Sequence, residues 1–577
     1  MRPDWFTRNQ FTRLLLILIL ALSLAQVGPA FSSQWLPSPD SAAPEDWLWV
    51  VRASYSDPAM IAQAASFTEP WEVNRQAGYL VAGVNSRGLE KLKQLGFTLE
   101  IDPDLTRQMN AAPQPLAGQT SGIPGYPCYR TVEETYASAQ NLVLIAPDLA
   151  SWIDIGDSWE KTEPGGGAGY DLNVLKLTNR NIPGPKPVLF IMAAMHAREY
   201  TTAELAMRFA ESLVQGYGSD PDITWLLNYQ EIHLLLQANP DGRKQAEVGW
   251  SWRKNANRNY CGYSSSYRGA DLNRNYEFQW GCCGGSTPVA CEDTYRGPAP
   301  ASEPETQAVQ QYLRQIFPDQ RGPEYADAAP VTATGLMIDL HSYGNLVLWP
   351  WGSDPYPPAN SVDLKTLGHK LAYFNNYTPQ QAIELYPTDG TSDDFAYGDL
   401  GLAAYTIELG TQFFQSCSTF ENTILPANLQ TLLAAAKSSR RPYQLPSGPD
   451  IVSPAAQPVL AYQGNSVILT AQASDLRYKS SNQVPTAAIA SAEFTIDVPP
   501  WITTTTPVTY ALQAADGSFN SKTEVLAASL DTSSLAPGRH TLYLQAYDQA
   551  GNLGPVTALF FDVALLQNPV FLPVITK

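Results

Sequence analysis

Between residues 126 and 443, short apolar strand-like runs alternate with helical ones, and this alternation restricts the fold more than any other feature of the chain. The run Pro187-Val188-Leu189-Phe190-Ile191-Met192 is typical, followed by a helical pattern over residues 201–217. Such an order predicts an α/β domain with a largely parallel or mixed sheet. Polar residues just beyond the ends of its strands are then the first place to look for a site.

The flanks read differently. Residues 35–102 contain three strand-like runs separated by two helical ones, which suits a small α+β domain. Residues 103–125 mix Pro, Gly, Gln and small residues without apolar periodicity, the pattern of an exposed linker open to proteolysis. After Pro446-Ser447-Gly448-Pro449 come β-type runs rich in Thr, Val and Ser, which predict an all-β immunoglobulin-like sandwich over residues 450–565 and leave a tail at 566–577. A chain of 577 residues with 44% hydrophobic and 16% charged composition has room for all three folded units.

At the N-terminus, Arg2 to Arg13 precede an apolar run from Leu14 to Leu22 and the small residues Ser23 and Ala25. This is the layout of a secretory signal over residues 1–25. The apolar core is shorter than the roughly 20 residues of a spanning helix, so no transmembrane anchor is expected once the signal is removed. A secreted, extracellular location makes the six cysteines disulfide candidates. Cys261, Cys282, Cys283 and Cys291 crowd one stretch and are expected to pair among themselves, while the distant Cys128 and Cys417 join each other. Cys282 and Cys283 are adjacent, a spacing that rarely suits a mutual bond, so each is expected to reach a different partner. The formal charge of −19 excludes a nucleic-acid partner.

Five histidines occur, and two stand directly after apolar strands, in His196-Ala197-Arg198-Glu199 and in His341-Ser342-Tyr343. Two imidazoles and a carboxylate with one open position are what catalytic zinc requires. His233, His369 and His540 lack such company and read as structural. Ser302-Glu303-Pro304-Glu305 reads as a helix start, with Ser302 as N-cap and Glu305 completing a capping box.

Six blocks in order, His196-Ala197-Arg198-Glu199, Asn239-Pro240-Asp241-Gly242, Trp252-Arg253-Lys254-Asn255, Gly269-Ala270-Asp271-Leu272-Asn273-Arg274-Asn275, His341-Ser342-Tyr343 and Tyr405-Thr406-Ile407-Glu408-Leu409, resemble the zinc carboxypeptidase family of the A/B type. The resemblance covers residues 126–443. It implies a mixed sheet with helices on both faces, one Zn2+ per chain held by His196, Glu199 and His341, and peptide or protein C-termini as partners. It further implies that Asp271 orients His196, that Glu408 is the general base and proton shuttle, and that Arg253 stabilises the oxyanion. Asn273 and Arg274 match the recognition of a free α-carboxylate, Arg198 and Tyr343 match substrate-contacting residues, and Tyr386 matches the mobile capping tyrosine. Residues 35–102 resemble the family's inhibitory pro-domain.

Asp393, in Gly390-Thr391-Ser392-Asp393-Asp394-Phe395, aligns with the floor of the side-chain pocket, where an Asp goes with Lys or Arg substrates; Asp394 reads as its structural alternative. The resemblance thus implies removal of single C-terminal residues with a preference for Lys or Arg. The competing readings are a broad-specificity carboxypeptidase, a zinc peptidase of the same superfamily acting on cell-wall peptides, and a non-enzymatic binding protein displayed through the β domain. Retention of the ligand set and Glu408 argues against the last, and the partner of the β domain is not readable.

Overall fold

The computed structural model describes residues 47–163, 167–262 and 265–565. The expected signal at 1–25 and tail at 566–577 lie outside the described residues, as does the start of the 35–102 segment.

The N-terminal unit is a four-stranded antiparallel sheet of β1 (Trp49–Ser54), β2 (Pro70–Asn74), β3 (Tyr79–Val84) and β4 (Thr98–Ile101) in the order β2-β3-β1-β4. Helices Ala59–Ala65 and Ser86–Gln94 connect its strands. The next segment departs from the expected linker, because Pro103–Asn110 is a helix. Asp102 caps it by accepting from the amides of Asp104 (3.0 Å) and Leu105 (2.9 Å), and Pro103 supplies a first-turn φ at no cost in hydrogen bonds. Buried Thr106 and Met109 tie this helix to the sheet, so the irregular, exposed stretch begins only at Ala111.

The central sheet has eight strands: β5 (Ala150–Asp157), β6 (Asp171–Leu177), β7 (Val188–Ala193), β8 (Glu231–Leu235), β9 (Leu336–His341), β10 (Leu346–Trp349), β11 (Thr378–Gln381) and β12 (Ala403–Glu408). Their order is β11-β10-β12-β9-β7-β8-β6-β5, and the middle four, β12, β9, β7 and β8, are mutually parallel. Every residue of β7 and β9 is buried, which is why β7 reads as an unbroken apolar run and β9 as one interrupted by Asp339 before its terminal His341. Helices cover both faces. Phe190 on β7 packs against Tyr312 of helix Pro304–Ile316, with ring centroids 6.2 Å apart. Tyr405 on β12 lies in register with Ile338 and Ile191 on the opposite face, and its hydroxyl donates to the Leu364 carbonyl of helix Ser361–Asn375 at 2.8 Å.

The C-terminal unit is all-β: β13 (Asp450–Gln457), β14 (Leu460–Tyr462), β15 (Ser466–Ser474), β16 (Ile489–Ile496), β17 (Thr509–Ala514), β18 (Thr523–Asp531), β19 (Gly538–Asp548) and β20 (Thr557–Ala564). The strand order β13-β15-β18-β17-β16-β19-β20-β14 is continuous. β17 pairs with both β16 and β18, so the two halves expected as separate sheets of a sandwich are joined, barrel-like, at this strand. Strict alternation along β15 turns Val467, Leu469, Ala471 and Ala473 into the unit's own core.

This unit is docked on the catalytic one by Trp501, whose ring lies 5.3 Å from that of Trp225 and beneath the Arg440 guanidinium at 4.1 Å. Lys370 adds a buried ion pair with Asp450 at 3.1 Å, and Asp222 accepts from the Ala558 amide at 2.8 Å.

Cys128–Cys417 forms as expected, and Cys261 bonds Cys291. Cys282 and Cys283 bond each other, against the expectation that each reaches a different partner. Once Cys261 has taken Cys291 and Cys128 has taken Cys417, no other thiol remains, and none of the six is free. The capping box at Ser302 is also corrected. Glu303 is the N-cap of helix Pro304–Ile316 without a side-chain cap, Glu305 accepts from the Trp159 amide (2.8 Å) and Asn255 (3.1 Å), and Ser302 bonds Asn275 and Glu303. Tertiary donors won over the local motif. Among the described residues no helix is long and apolar enough to cross a membrane.

Trp225→Ala should cost about 3 to 5 kcal/mol, because it leaves a cavity at the joint of the two units. Denaturant unfolding reads this, and a cost below about 1 kcal/mol would show that the β unit holds its place without that ring.

Candidate active site

β7, β9 and β12 run parallel and end side by side, so whatever follows them converges. Leu340 is in register with Ala193, and His341 with Glu408. His196 and Glu199 lie in the loop after β7, just before helix Tyr200–Gly216, while His341 and Glu408 are the last residues of β9 and β12. His196, Glu199 and His341 are buried, and their donor atoms all lie within 4.8 Å of one another.

The donors suit zinc in detail. His196 Nδ1 and His341 Nδ1 are 3.1 Å apart, and each faces Glu199, at 2.8 Å and 3.2 Å respectively. Nitrogens bound to one tetrahedral zinc are separated by roughly 3.3 Å. Both far nitrogens are engaged by carboxylates: His196 Nε2 lies 3.1 Å from Asp271, and His341 Nε2 lies 3.0 Å from Asp339. Asp271 holds the His196 ring by a hydrogen bond that turns its Nδ1 lone pair to the metal position, and Asp339 lies within ion-pair distance of the far nitrogen of His341. Burial raises the Glu199 pKa, but His196 and His341 outweigh it and hold the carboxyl well below the usual range.

Asp271 caps the short 3-10 turn Leu272–Arg274 and binds a second cation, accepting from Arg253 Nε (3.0 Å) and Nη2 (2.9 Å). Burial opposes its ionisation, and Arg253 with His196 overcomes that, leaving its pKa far below the ordinary value. Arg253 Nη1 lies 3.3 Å from His196 Nδ1, so the guanidinium borders the metal position. Glu408 keeps part of its surface open to the cleft, yet its carboxyl is dehydrated; burial, with Glu199 and Glu69 nearby, pushes its pKa up to about 8 against the pull of His341.

The profile of a family described as zinc carboxypeptidase matches residues 135–434, more than half of the chain. The chain belongs to the zinc carboxypeptidase family. It is 31% identical over 317 residues to carboxypeptidase A2 of Rattus norvegicus, covering 53% of this chain and 69% of the relative. It is 29% identical over 353 residues to carboxypeptidase B of Bos taurus, covering 59% and 77%. In fold it is similar to the crystal structure of carboxypeptidase A from Helicoverpa armigera, with a TM-score of 0.53, 20% identity, and coverage of 69% and 98%. It is therefore a metallocarboxypeptidase with one His-Glu-His zinc site, acting on peptides.

The remaining residues expected in the family's cleft gather around this centre. Arg274 is buried, with Nε on the Gly285 carbonyl (2.8 Å), Nη1 on the Asn273 carbonyl (2.7 Å) and Nη2 without a partner. Asn273 accepts from the Ser392 amide at 3.0 Å. Arg198 stacks on Phe413 at 4.3 Å, and Tyr343 packs edge-on to the same ring at 4.8 Å. Tyr386 is buried against Ile61 and Ala65 of the N-terminal unit.

Asp393 is buried and accepts from the Asp394 amide (3.0 Å) and Thr406 (3.3 Å), with the Thr391 side chain also near its carboxyl. Asp394, by contrast, is saturated by the amides of Gly352 (3.0 Å) and Ser353 (3.1 Å) and the Ser353 hydroxyl (2.8 Å). His233, His369 and His540 bond Tyr312, the Lys479 carbonyl and Asp497, away from the centre.

Two residues escaped the sequence reading. Asp339 carried a signal, a carboxylate inside the apolar run Leu336-Met337-Ile338-Asp339-Leu340, the same reasoning that marks Glu408. Glu69 carried none. It comes from the N-terminal unit, bonds Arg198 Nη2 at 2.6 Å and pairs with Arg253 Nη1.

Asp339→Asn should weaken zinc retention about 10- to 100-fold, because the amide no longer anchors the His341 ring as a charged acceptor. Competition with a chelator measures this, with His341→Ala as the reference for outright loss; unchanged retention would remove Asp339 from the site.

Proposed function

We propose that the chain is an exported, latent precursor of a carboxypeptidase that releases single C-terminal residues, preferring Lys and Arg. The observation that carries the preference is Asp393, a buried carboxylate with acceptor capacity to spare beside a saturated neighbour. Burial and the nearby Asp339 push its pKa upward, a cost that a cationic side chain removes by supplying both charge and donors. An apolar side chain supplies neither.

In this reading zinc, held by His196, Glu199 and His341, supplies Lewis acidity toward the scissile carbonyl and water. Glu408 takes the proton from water and passes it to the leaving amine, a task that its place at the end of β12, level with His341, suits. Arg253 donates to the developing oxyanion from a guanidinium already oriented by Asp271. Arg274 Nη2, buried and unpaired, receives the substrate α-carboxylate, with Asn273 beside it. Arg198 and Tyr343 line the path of the preceding residues, and Tyr386 closes over the bound end.

Latency follows from the placement of Glu69. It ties up Arg198 and Arg253 together, Trp71 covers Arg198, and Arg75 bonds the Glu384 carbonyl at 3.1 Å beside the buried Tyr386. A cut in the exposed stretch between Ala111 and Ser121 would release this unit, and the disulfides suit an extracellular setting.

A scan of peptides differing only in the last residue tests the preference. Lys and Arg should lead, and Asp393→Ala should cost them about 2 to 5 kcal/mol of transition-state binding while sparing Leu and Phe. Equal turnover of Phe, Leu and Arg by the parent enzyme would leave a broad-specificity carboxypeptidase.

For latency, the Glu69→Gln precursor should hydrolyse peptides before any cut, where the parent precursor is silent, and the two should match after proteolysis. A parent precursor as active as its trimmed form would end the latency reading.

A further inference from the structure

We propose that Asp389 is a positioning residue that sets the enzyme's affinity for a free C-terminus, acting through the Cys282–Ser286 loop on Arg274. The inference rests on the reading of Arg274 as the α-carboxylate receptor.

Asp389 is fully buried, three residues beyond Tyr386 and four before Asp393. Its Oδ2 accepts from the amides of Gly285 (2.9 Å) and Cys283 (3.3 Å), and its Oδ1 accepts from the Ser286 hydroxyl. One carboxylate thus gathers three donors from a loop whose other ties among the described residues are Arg296, which donates to Ser286, and the Cys282 amide on the Gln279 carbonyl. On the cleft side the Gly285 carbonyl accepts from Arg274 Nε at 2.8 Å.

With Nε and Nη1 both engaged, the guanidinium plane is fixed and Nη2 alone is left for substrate. Freedom at the Gly285 carbonyl would let the guanidinium turn, and a misaligned Nη2 forfeits the directed, charge-assisted hydrogen bond to a carboxylate.

Packing makes the linkage tight. A Cβ on Gly285 would sit 2.3 Å from Thr388 Cα, and one on Gly390, whose φ is +63°, would sit 2.5 Å from the Arg274 carbonyl oxygen. Tyr276 N donates to the Gly390 carbonyl at 3.0 Å, and Thr388 N to the Gly352 carbonyl at 3.0 Å. The segment carrying Tyr386 and Asp393 and the turn carrying Arg274 are therefore one braced assembly, with Asp389 the only carboxylate shared between that segment and the cysteine loop among the described contacts.

The test uses the full chain, before and after limited proteolysis, on one peptide presented as the free acid and as the C-terminal amide. The parent enzyme should favour the acid, and Arg274→Ala should abolish that preference; if Arg274→Ala leaves it intact, the receptor reading fails whatever Asp389 does. Asp389→Ala should raise KM for the acid roughly 10-fold or more, with kcat and zinc content nearly unchanged and the acid-to-amide ratio reduced.

Asp389→Asn, isosteric and still an acceptor, should recover part of that loss and serves if the alanine variant does not fold. If Arg274→Ala collapses the ratio while Asp389→Ala or, failing that, Asp389→Asn leaves both KM and the ratio at parent values, the inference is overturned. A fall in kcat with KM unchanged would equally overturn it, since that pattern belongs to general damage.

Discussion

Carboxylates crowd the end of the central sheet. Glu199, Asp271, Asp339 and Glu408 surround His196 and His341 in a dehydrated pocket, and Glu69 reaches in from the N-terminal unit. So many like charges can share a buried volume only if cations lie among them. Arg253 answers Asp271 and Glu69, Arg198 answers Glu69, and the metal site answers Glu199. Part of the cleft's geometry follows from this balance: Arg253 and Asp271 orient each other by opposite charge, whereas Arg274 is held by two carbonyls and keeps Nη2 without a partner.

The same balance reaches into the N-terminal unit, where Glu69 is held by Arg198 and Arg253. On the latency proposed above, it would hold both guanidinium groups in place of substrate. The pair is buried, and burying one carboxylate between two guanidinium groups is favourable only as a set. Its pKa shows the outcome: burial raises it, Arg253 and Arg198 lower it further, and the carboxyl stays charged. A cavity of about 240 Å³ lined by Met109, Arg198, Trp250 and Arg253 remains beside the contact, while Trp71 packs edge-on to Phe413 at 5.1 Å.

What could be read from the sequence was local. His196, Glu199, His341 and Glu408 stand directly after apolar strands, and strand ends in a parallel sheet converge whatever the loops do. Glu69 was invisible because its partners lie 129 and 184 residues away, a distance no periodicity spans. The cysteine pairing failed at Cys282 and Cys283 because a rule about adjacent residues was applied without knowing that Cys261 and Cys291 meet. Residues 103–110 were read as linker for want of apolar period, although Asp102-Pro103 is a helix start; two buried side chains, Thr106 and Met109, were enough to hold it.

The C-terminal unit meets the enzyme along helix Ser361–Asn375, through Lys479, and through the Trp501 joint at the other end of the strands. Trp225 and Tyr229, which receive Trp501, immediately precede β8, and Ser439, next to the Arg440 that covers Trp501, bonds the amide of Gly335 just before β9. These are the N-terminal ends of the parallel strands, whereas the metal residues follow the C-terminal ends of β7 and β9. Side chains of the β unit at this joint therefore lie a full strand length from the chemistry, about 17 to 20 Å for strands of five or six residues. The joint can thus add stability through Trp501 and the Lys370–Asp450 pair at a distance from the metal residues.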